Sequence, residues 1–97
     1  MTMNLNKMAD EIHQLSKSKG WWDDTTVQER IFMIGSEVFE AIAELRSGNN
    51  LETKEELIDV LIRTLDILGW YGYDIEAALL AKHEHNKTRS YKHGKGF

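Results

Sequence analysis

No proline interrupts the 97-residue sequence, and glycine occurs only seven times. Because proline and glycine are the residues that most often end or kink a helix, the chain can form long uninterrupted helices. Apolar residues recur at helical spacing, and no stretch alternates long enough to indicate a strand. We therefore predict an all-α fold in one domain, residues 1–97, with a four-helix bundle over about residues 4–88 and an irregular basic tail over about residues 89–97.

Capping residues and apolar stripes predict where the four helices lie. The second helix opens with Thr26 and Glu29 in capping-box spacing, and the third with Thr53 and Glu56. Gly69 is expected in the connection that follows the third helix. The predicted bounds are about 4–17, 26–46, 53–68 and 74–86.

The charge is distributed unevenly along the chain and excludes several classes of function. Residues 1–81 hold 15 acidic and 7 basic residues, whereas residues 82–97 hold 5 basic residues and one acidic residue. An acidic body argues against general nucleic-acid binding, which needs a basic face. Without cysteine, disulfides and thiolate zinc sites are excluded. Since the sequence has neither an apolar signal core nor an apolar run of about 18 residues, we expect a cytoplasmic protein without membrane contact.

Acidic residues on the second helix form a candidate site. Glu37, Glu40 and Glu44 lie within about 60° of one another at 100° per residue. Such spacing on an exposed helix is most often a solvated face, so this group alone does not indicate a ligand.

The third helix gives the acidic residues more weight. It is apolar around most of its circumference, and its polar strip is narrow. A helix of that kind is expected to be buried, so charges on it should face a partner, a cavity or a metal. Alternatively, an ion pair between Arg63 and Asp59 would account for these charges without a ligand. The strip consists of Glu56, Asp59, Arg63 and Asp66.

A short connection over residues 46–52 makes the second and third helices antiparallel neighbours. This arrangement can bring Glu37 and Glu40 opposite Glu56 and Asp59. Four carboxylates at about 6 Å repel one another by an amount comparable with the stability of a small domain, and one arginine does not offset it. An all-oxygen cluster suits a hard divalent cation, Mg²⁺ or Mn²⁺.

The same motif carries a family resemblance. Glu37-x-x-Glu40, fifteen intervening residues and Glu56-x-x-Asp59 resemble the MazG-like all-α NTP pyrophosphatases. The resemblance covers about residues 10–97 and includes KGWWD, SEVFEAIAELRSG and the C-terminal run from KHEHNKTRS onward. Ser36 departs from the pattern, because the family motif often starts with two adjacent glutamates.

The resemblance implies an activity. It is Mg²⁺-dependent cleavage of a nucleoside triphosphate between the α and β phosphates, giving a monophosphate and pyrophosphate, by a dimer or a dimer of dimers. By position, Glu37, Glu40, Glu56 and Asp59 would ligate the metal, and we assign the catalytic proton transfer from water to Glu37 or Glu40. Removal of non-canonical or surplus (d)NTPs is the expected role.

The loop that contains Trp21 and Trp22 and the basic C-terminal segment supply candidate substrate contacts. The loop tryptophans either stack on a nucleobase or cap the core, and the tail either binds phosphates or is simply solvated. The resemblance favours nucleotide contacts in both segments, with the acting subunit left open. The candidates are Lys19, Trp21, Trp22, Asn86, Arg89, Tyr91, Lys92, His93 and Lys95.

Two non-enzymatic functions remain as alternatives. A non-catalytic helical dimerisation module is indicated by the apolar seam Ile31, Ile34, Val38, Ile42 and Leu45, and a small nucleic-acid binder by the basic tail. The module does not explain four clustered carboxylates, and the acidic body argues against the nucleic-acid binder. The histidines at positions 13, 83 and 85 are expected on exposed faces without a metal. The preferred base and sugar are not determined by the sequence.

Overall fold

A computed structural model describes residues 3–89, and the predicted contacts at Tyr91, Lys92, His93 and Lys95 lie outside this range. The helices are α1 (Leu5–Ser18), α2 (Val27–Arg46), α3 (Asn50–Tyr71) and α4 (Ile75–Thr88). Since residues 3–89 contain no strand, the all-α prediction is confirmed for them. Within the same range, none of the helices combines the length and apolarity needed to cross a membrane.

Side-chain caps begin three of the four helices. Thr26 and Glu29 form the predicted capping box, with Glu29 N donating to Thr26 Oγ1 at 3.1 Å and Thr26 N donating to Glu29 Oε1 at 2.9 Å. Asp74 caps α4 by accepting from Ala77 N at 3.1 Å. Asn4 caps α1 in the same way, which fixes the start of that helix.

Helix α3 is longer than predicted at both ends. It begins at Asn50, so the expected capping box at Thr53 is wrong: the Thr53 hydroxyl donates back to the carbonyl of Asn49 at 2.9 Å from within the helix. The helix ends at Tyr71 and is capped by Gly72, whose φ of 69° is the left-handed conformation typical of a glycine C-cap. Nothing between Asn50 and Thr53 breaks the helix, which explains the earlier start.

Gly69 lies inside α3 and not in the connection after it. A Cβ at this position would lie 2.6 Å from the backbone oxygen of Ala9 and 2.9 Å from Cβ of His13. The glycine is therefore what allows α1 to pack closely against α3.

Helix α3 is the centre of the fold. It packs against α2 on one side and α1 on another, while α4 makes its main contacts with α1. The hydrogen bonds between α2 and α3 join Arg30 to Asp66 and Glu37 to Arg63, which is the order expected for antiparallel helices. Ala9, Leu65 and Ile75 form a small buried core.

Much apolar surface stays exposed in a single chain. Phe32 and Phe39 on α2 are 75% and 74% exposed, and Ile31, Val38, Ile42 and Leu45 of the predicted seam are exposed as well. The expectation that α3 is buried all round is wrong for the isolated chain, because Leu57, Ile58 and Leu61 are also exposed. Ile67, in contrast, is buried within the chain, whereas Ile62 stays exposed.

Candidate metal centre and the adjoining cleft

Three of the four motif carboxylates meet at the α2–α3 interface. Glu37 on α2 and Glu56 and Asp59 on α3 each place one carboxylate oxygen within 4.8 Å of the others. Glu37 and Glu56 are half-buried, and Asp59 is exposed. Glu40 lies next to this group, since its carboxyl contacts that of Glu56. The motif spacing thus brings Glu37, Glu56 and Asp59 together, with Glu40 beside Glu56.

The neighbouring carboxyl groups perturb the ionisation of Glu56. The pKa of Glu56 is raised to about 7, chiefly by the contact with the Glu37 carboxyl, and to a smaller extent by partial burial and by the Glu40 carboxyl. Although the residue as a whole is only half-buried, its Oε2 atom is buried and has no hydrogen-bond partner. The cluster therefore carries more negative charge than its surroundings stabilise.

Arg63 contributes one positive charge to the cluster. Its Nε donates to Glu37 Oε1 at 3.1 Å, so it pairs with Glu37 and not with Asp59 as the alternative interpretation expected. Among residues 3–89, no other basic side chain forms an ion pair with any of the four carboxylates. One guanidinium neutralises one carboxylate, so the other carboxylates have no cationic partner within residues 3–89.

A cleft of about 640 Å³ between α1, α2 and α3 adjoins the acidic cluster. This volume is within the range of sites for small organic ligands. Glu37 and Asp59 lie on its wall, and Trp21, 54% exposed, lies at its edge. The apolar part of the wall comes from Ile12, Leu15, Met33 and Ile62.

Ser16 is a further residue of this cleft, which the sequence analysis did not single out. It is 2% exposed, and its Oγ has no hydrogen-bond partner. Its position on the buried stripe of α1, four residues after Ile12, was the only available signal.

A second polar cluster, centred on Asp66, holds the cleft together. Asp66 Oδ1 accepts from His13 Nδ1 at 2.9 Å and from Trp22 Nε1 at 3.0 Å, and its Oδ2 accepts from Arg30 Nη2 at 3.1 Å. Because an ionised carboxylate only accepts, Nδ1 of His13 carries the proton. His13 is buried, so the expectation that it lies on an exposed face is wrong.

The two loop tryptophans have different surroundings. The Trp22 ring is stacked on Trp70, with centroids 5.9 Å apart, and the Arg30 guanidinium lies 5.0 Å from its centroid. Trp22 thus belongs to the Asp66 cluster and does not line the cleft. Trp21 does line it, and its carbonyl accepts from Arg30 Nη1 at 3.1 Å.

The remaining predicted substrate contacts lie outside the cleft wall. Lys19 is exposed, with its ammonium 5.8 Å from the centroid of the Trp21 ring. Asn86 and Arg89 are exposed at the end of α4, where Arg89 Nη1 donates to Asn86 Oδ1 at 3.5 Å. The described part of one chain therefore does not bring Asn86 and Arg89 to the acidic cluster.

Comparison with known proteins adds no family assignment. No protein-family model matches the chain, and no curated protein or solved structure matches it either. Membership of the MazG-like family stays a prediction from the motif.

Proposed function

We propose that this protein is a Mg²⁺-dependent nucleotide pyrophosphohydrolase. Its substrate would be a nucleoside triphosphate, cleaved between the α and β phosphates to a monophosphate and pyrophosphate. The observation that carries the proposal is the meeting of Glu37, Glu56 and Asp59 within 4.8 Å at the wall of a ligand-sized cleft. A role in removing non-canonical or surplus (d)NTPs is part of the proposal.

The donor atoms of the cluster fit Mg²⁺ or Mn²⁺. Both ions prefer oxygen ligands, and two oxygens on opposite sides of one Mg²⁺ lie about 4.2 Å apart. Neighbouring oxygens of the same ion lie about 3 Å apart, so the three carboxylates, all within 4.8 Å of one another, would draw closer around a bound ion by side-chain rotation. The partnerless Oε2 of Glu56 and the raised pKa of that residue both support a site that a cation would stabilise.

Glu37, Glu40 and Arg63 would each have a part in the reaction, together with the bound cation. A bound cation would neutralise phosphate charge and lower the pKa of the attacking water. Glu37 or Glu40 would accept the proton of that water, and Arg63 would hold the Glu37 carboxylate in place through its hydrogen bond. Since phosphoryl transfer depends mainly on positioning and charge stabilisation, no nucleophilic side chain is needed.

The cleft would hold the nucleoside part of the substrate. Its apolar walls suit a planar heterocycle, and the half-exposed Trp21 ring offers a surface on which a base stacks. The Asp66 cluster would act indirectly, by fixing α1, the loop before α2 and α2 itself against α3.

A homodimer or homotetramer is the proposed assembly. Phenylalanines and aliphatic residues on α2 and α3 are exposed in the single chain, and exposed apolar patches of this kind mark sites of association. A second copy of the chain would cover this surface. The same surface supports the second candidate function, a non-catalytic dimerisation module, which leaves the acidic cluster without a role.

Product analysis separates the two functions. We would incubate the protein with canonical and modified (d)NTPs and Mg²⁺, and resolve monophosphate, diphosphate, pyrophosphate and phosphate. Monophosphate and pyrophosphate are expected, with turnover lost in EDTA and in Glu40→Gln and Asp59→Asn. Glu55→Gln, a change at an exposed position of α3, is the control and should retain turnover. A folded protein that turns over none of these substrates would leave the dimerisation module as the better account.

A further inference from the structure

Ser16 lines the cleft, and its buried hydroxyl has no hydrogen-bond partner. Ser16 is 2% exposed, so the hydroxyl does not compensate by bonding to bulk water. Burial of a polar group without a partner costs stability, and native proteins leave few such groups. A buried orphan hydroxyl on the wall of a cleft is therefore a candidate contact for a ligand.

The surroundings of Ser16 make its hydroxyl distinctive. Much of the neighbouring wall is aliphatic, with Ile12 and Leu15 on the same helix. The other polar groups of the wall are largely committed, since Arg30 bonds to Asp66 and Arg63 bonds to Glu37. A ligand that enters the cleft would find the Ser16 hydroxyl free both to donate and to accept.

We propose that Ser16 is a specificity-determining residue that hydrogen-bonds the polar edge of a nucleobase. This inference rests on the proposed function, in which the phosphates lie toward Glu37 and Asp59 and the base lies in the cleft. A hydrogen bond from a buried hydroxyl to one base is lost when another base presents no polar atom at that point, and this loss produces discrimination. Ser16 thus affects which base is preferred and leaves the acidic cluster unchanged.

Binding of nucleoside monophosphates tests the inference without relying on hydrolysis. We would titrate the four dNMPs, with Mg²⁺, into the wild type, Ser16→Ala and Ser18→Ala by calorimetry. Ser18 is the matched control because its exposed hydroxyl donates to the Leu15 carbonyl. We expect Ser16→Ala to weaken the preferred dNMP roughly five- to tenfold, the effect of one neutral hydrogen bond. The other dNMPs should change by less than about twofold, and Ser18→Ala should bind like the wild type.

Thermal unfolding is the second readout. Because the hydroxyl has no partner in the protein, Ser16→Ala should unfold at a temperature equal to or above that of the wild type. A clearly lower Tm would show that the hydroxyl is bonded within the protein, and that result would overturn the inference.

The binding data contradict the inference in three further cases. These are equal binding of all four dNMPs by the wild type, no binding of any, and a uniform or negligible change in Ser16→Ala. The hydrolysis assay is scored separately. If base-selective binding depends on Ser16 while no triphosphate is turned over, the inference stands and the proposed reaction fails.

Discussion

The carboxyl groups of Glu37 and Glu56 are in contact across the α2–α3 interface, and this contact is the main reason why the pKa of Glu56 rises to about 7. Two carboxylates that meet in this way repel each other once both are ionised. The contact is therefore costly while both groups are ionised, and under the proposed function a bound cation would offset that cost.

In the absence of metal, the stability of the folded protein should depend on pH through Glu56. The pKa of Glu56 is higher in the folded than in the unfolded chain, so the folded state binds more protons between pH 4.5 and about 7. Stability should then fall as the pH rises through this window. Thermal unfolding in EDTA should show a smaller fall in Glu56→Gln than in the wild type or in the exposed control Glu55→Gln. The same fall in all three proteins would contradict the assignment.

Metal binding should release a proton from the same site. At pH 6 Glu56 is largely protonated, and a bound cation requires its carboxylate, so about one proton should leave for each ion bound. At pH 8.5 the release should be close to zero. Calorimetric titration with Mn²⁺ in buffers of different ionisation enthalpy measures this number. Release that does not depend on pH would argue against Glu56 as a ligand.

Removal of the Asp66 charge should destabilise the fold strongly. Asp66→Asn leaves the Arg30 guanidinium, whose side chain is 10% exposed, without its ionic partner. Loss of one partner of a buried pair costs about 3 kcal/mol or more. Urea unfolding should show this loss, while Asp10→Asn at an exposed position of α1 should lie within about 0.5 kcal/mol of the wild type. A loss below about 1 kcal/mol for Asp66→Asn would mean that the cluster does not hold the cleft together.

The motif spacing and the short connection after α2 were sufficient to predict that the acidic residues cluster. The Asp66 cluster could not be predicted, because its partners come from positions 53, 44 and 36 residues away in the sequence. Helical periodicity places Asp66 on the same polar strip as Asp59. The two residues have different surroundings because α1 and the loop before α2 pack on α3 at Asp66. The exposed α2 surface shows a further limit, since an apolar pattern does not reveal which molecule covers it.

Gly69 tests the packing of α1 on α3. Gly69→Ala places a methyl group 2.6 Å from the Ala9 carbonyl oxygen, and the resulting shift should cost about 2 kcal/mol. Gly35→Ala, where a Cβ meets nothing within 4 Å, should instead stabilise α2 by roughly 0.5–1 kcal/mol. Chemical denaturation of both variants, at a concentration where the chain is monomeric, measures the contrast. Equal effects would contradict the close approach of the two helices.

Association of the chain should depend on the exposed phenylalanines of α2. Phe39, 74% exposed, is expected to lie against a second copy, so Phe39→Glu should shift the protein toward monomer. Light scattering coupled to gel filtration gives the mass, and Gln14→Glu adds the same charge at an exposed site on α1 as the control. A wild type that stays monomeric at micromolar concentration would count against the proposed assembly.

The most direct test of the central claim is hydrolysis of the preferred triphosphate in ¹⁸O-labelled water with Mg²⁺, followed by mass spectrometry of the products. Attack of water at the α phosphorus, beside the cluster of Glu37, Glu56 and Asp59, predicts one labelled oxygen in the monophosphate and none in pyrophosphate. Label in pyrophosphate or in inorganic phosphate, or no Mg²⁺-dependent label in any product, would contradict the account.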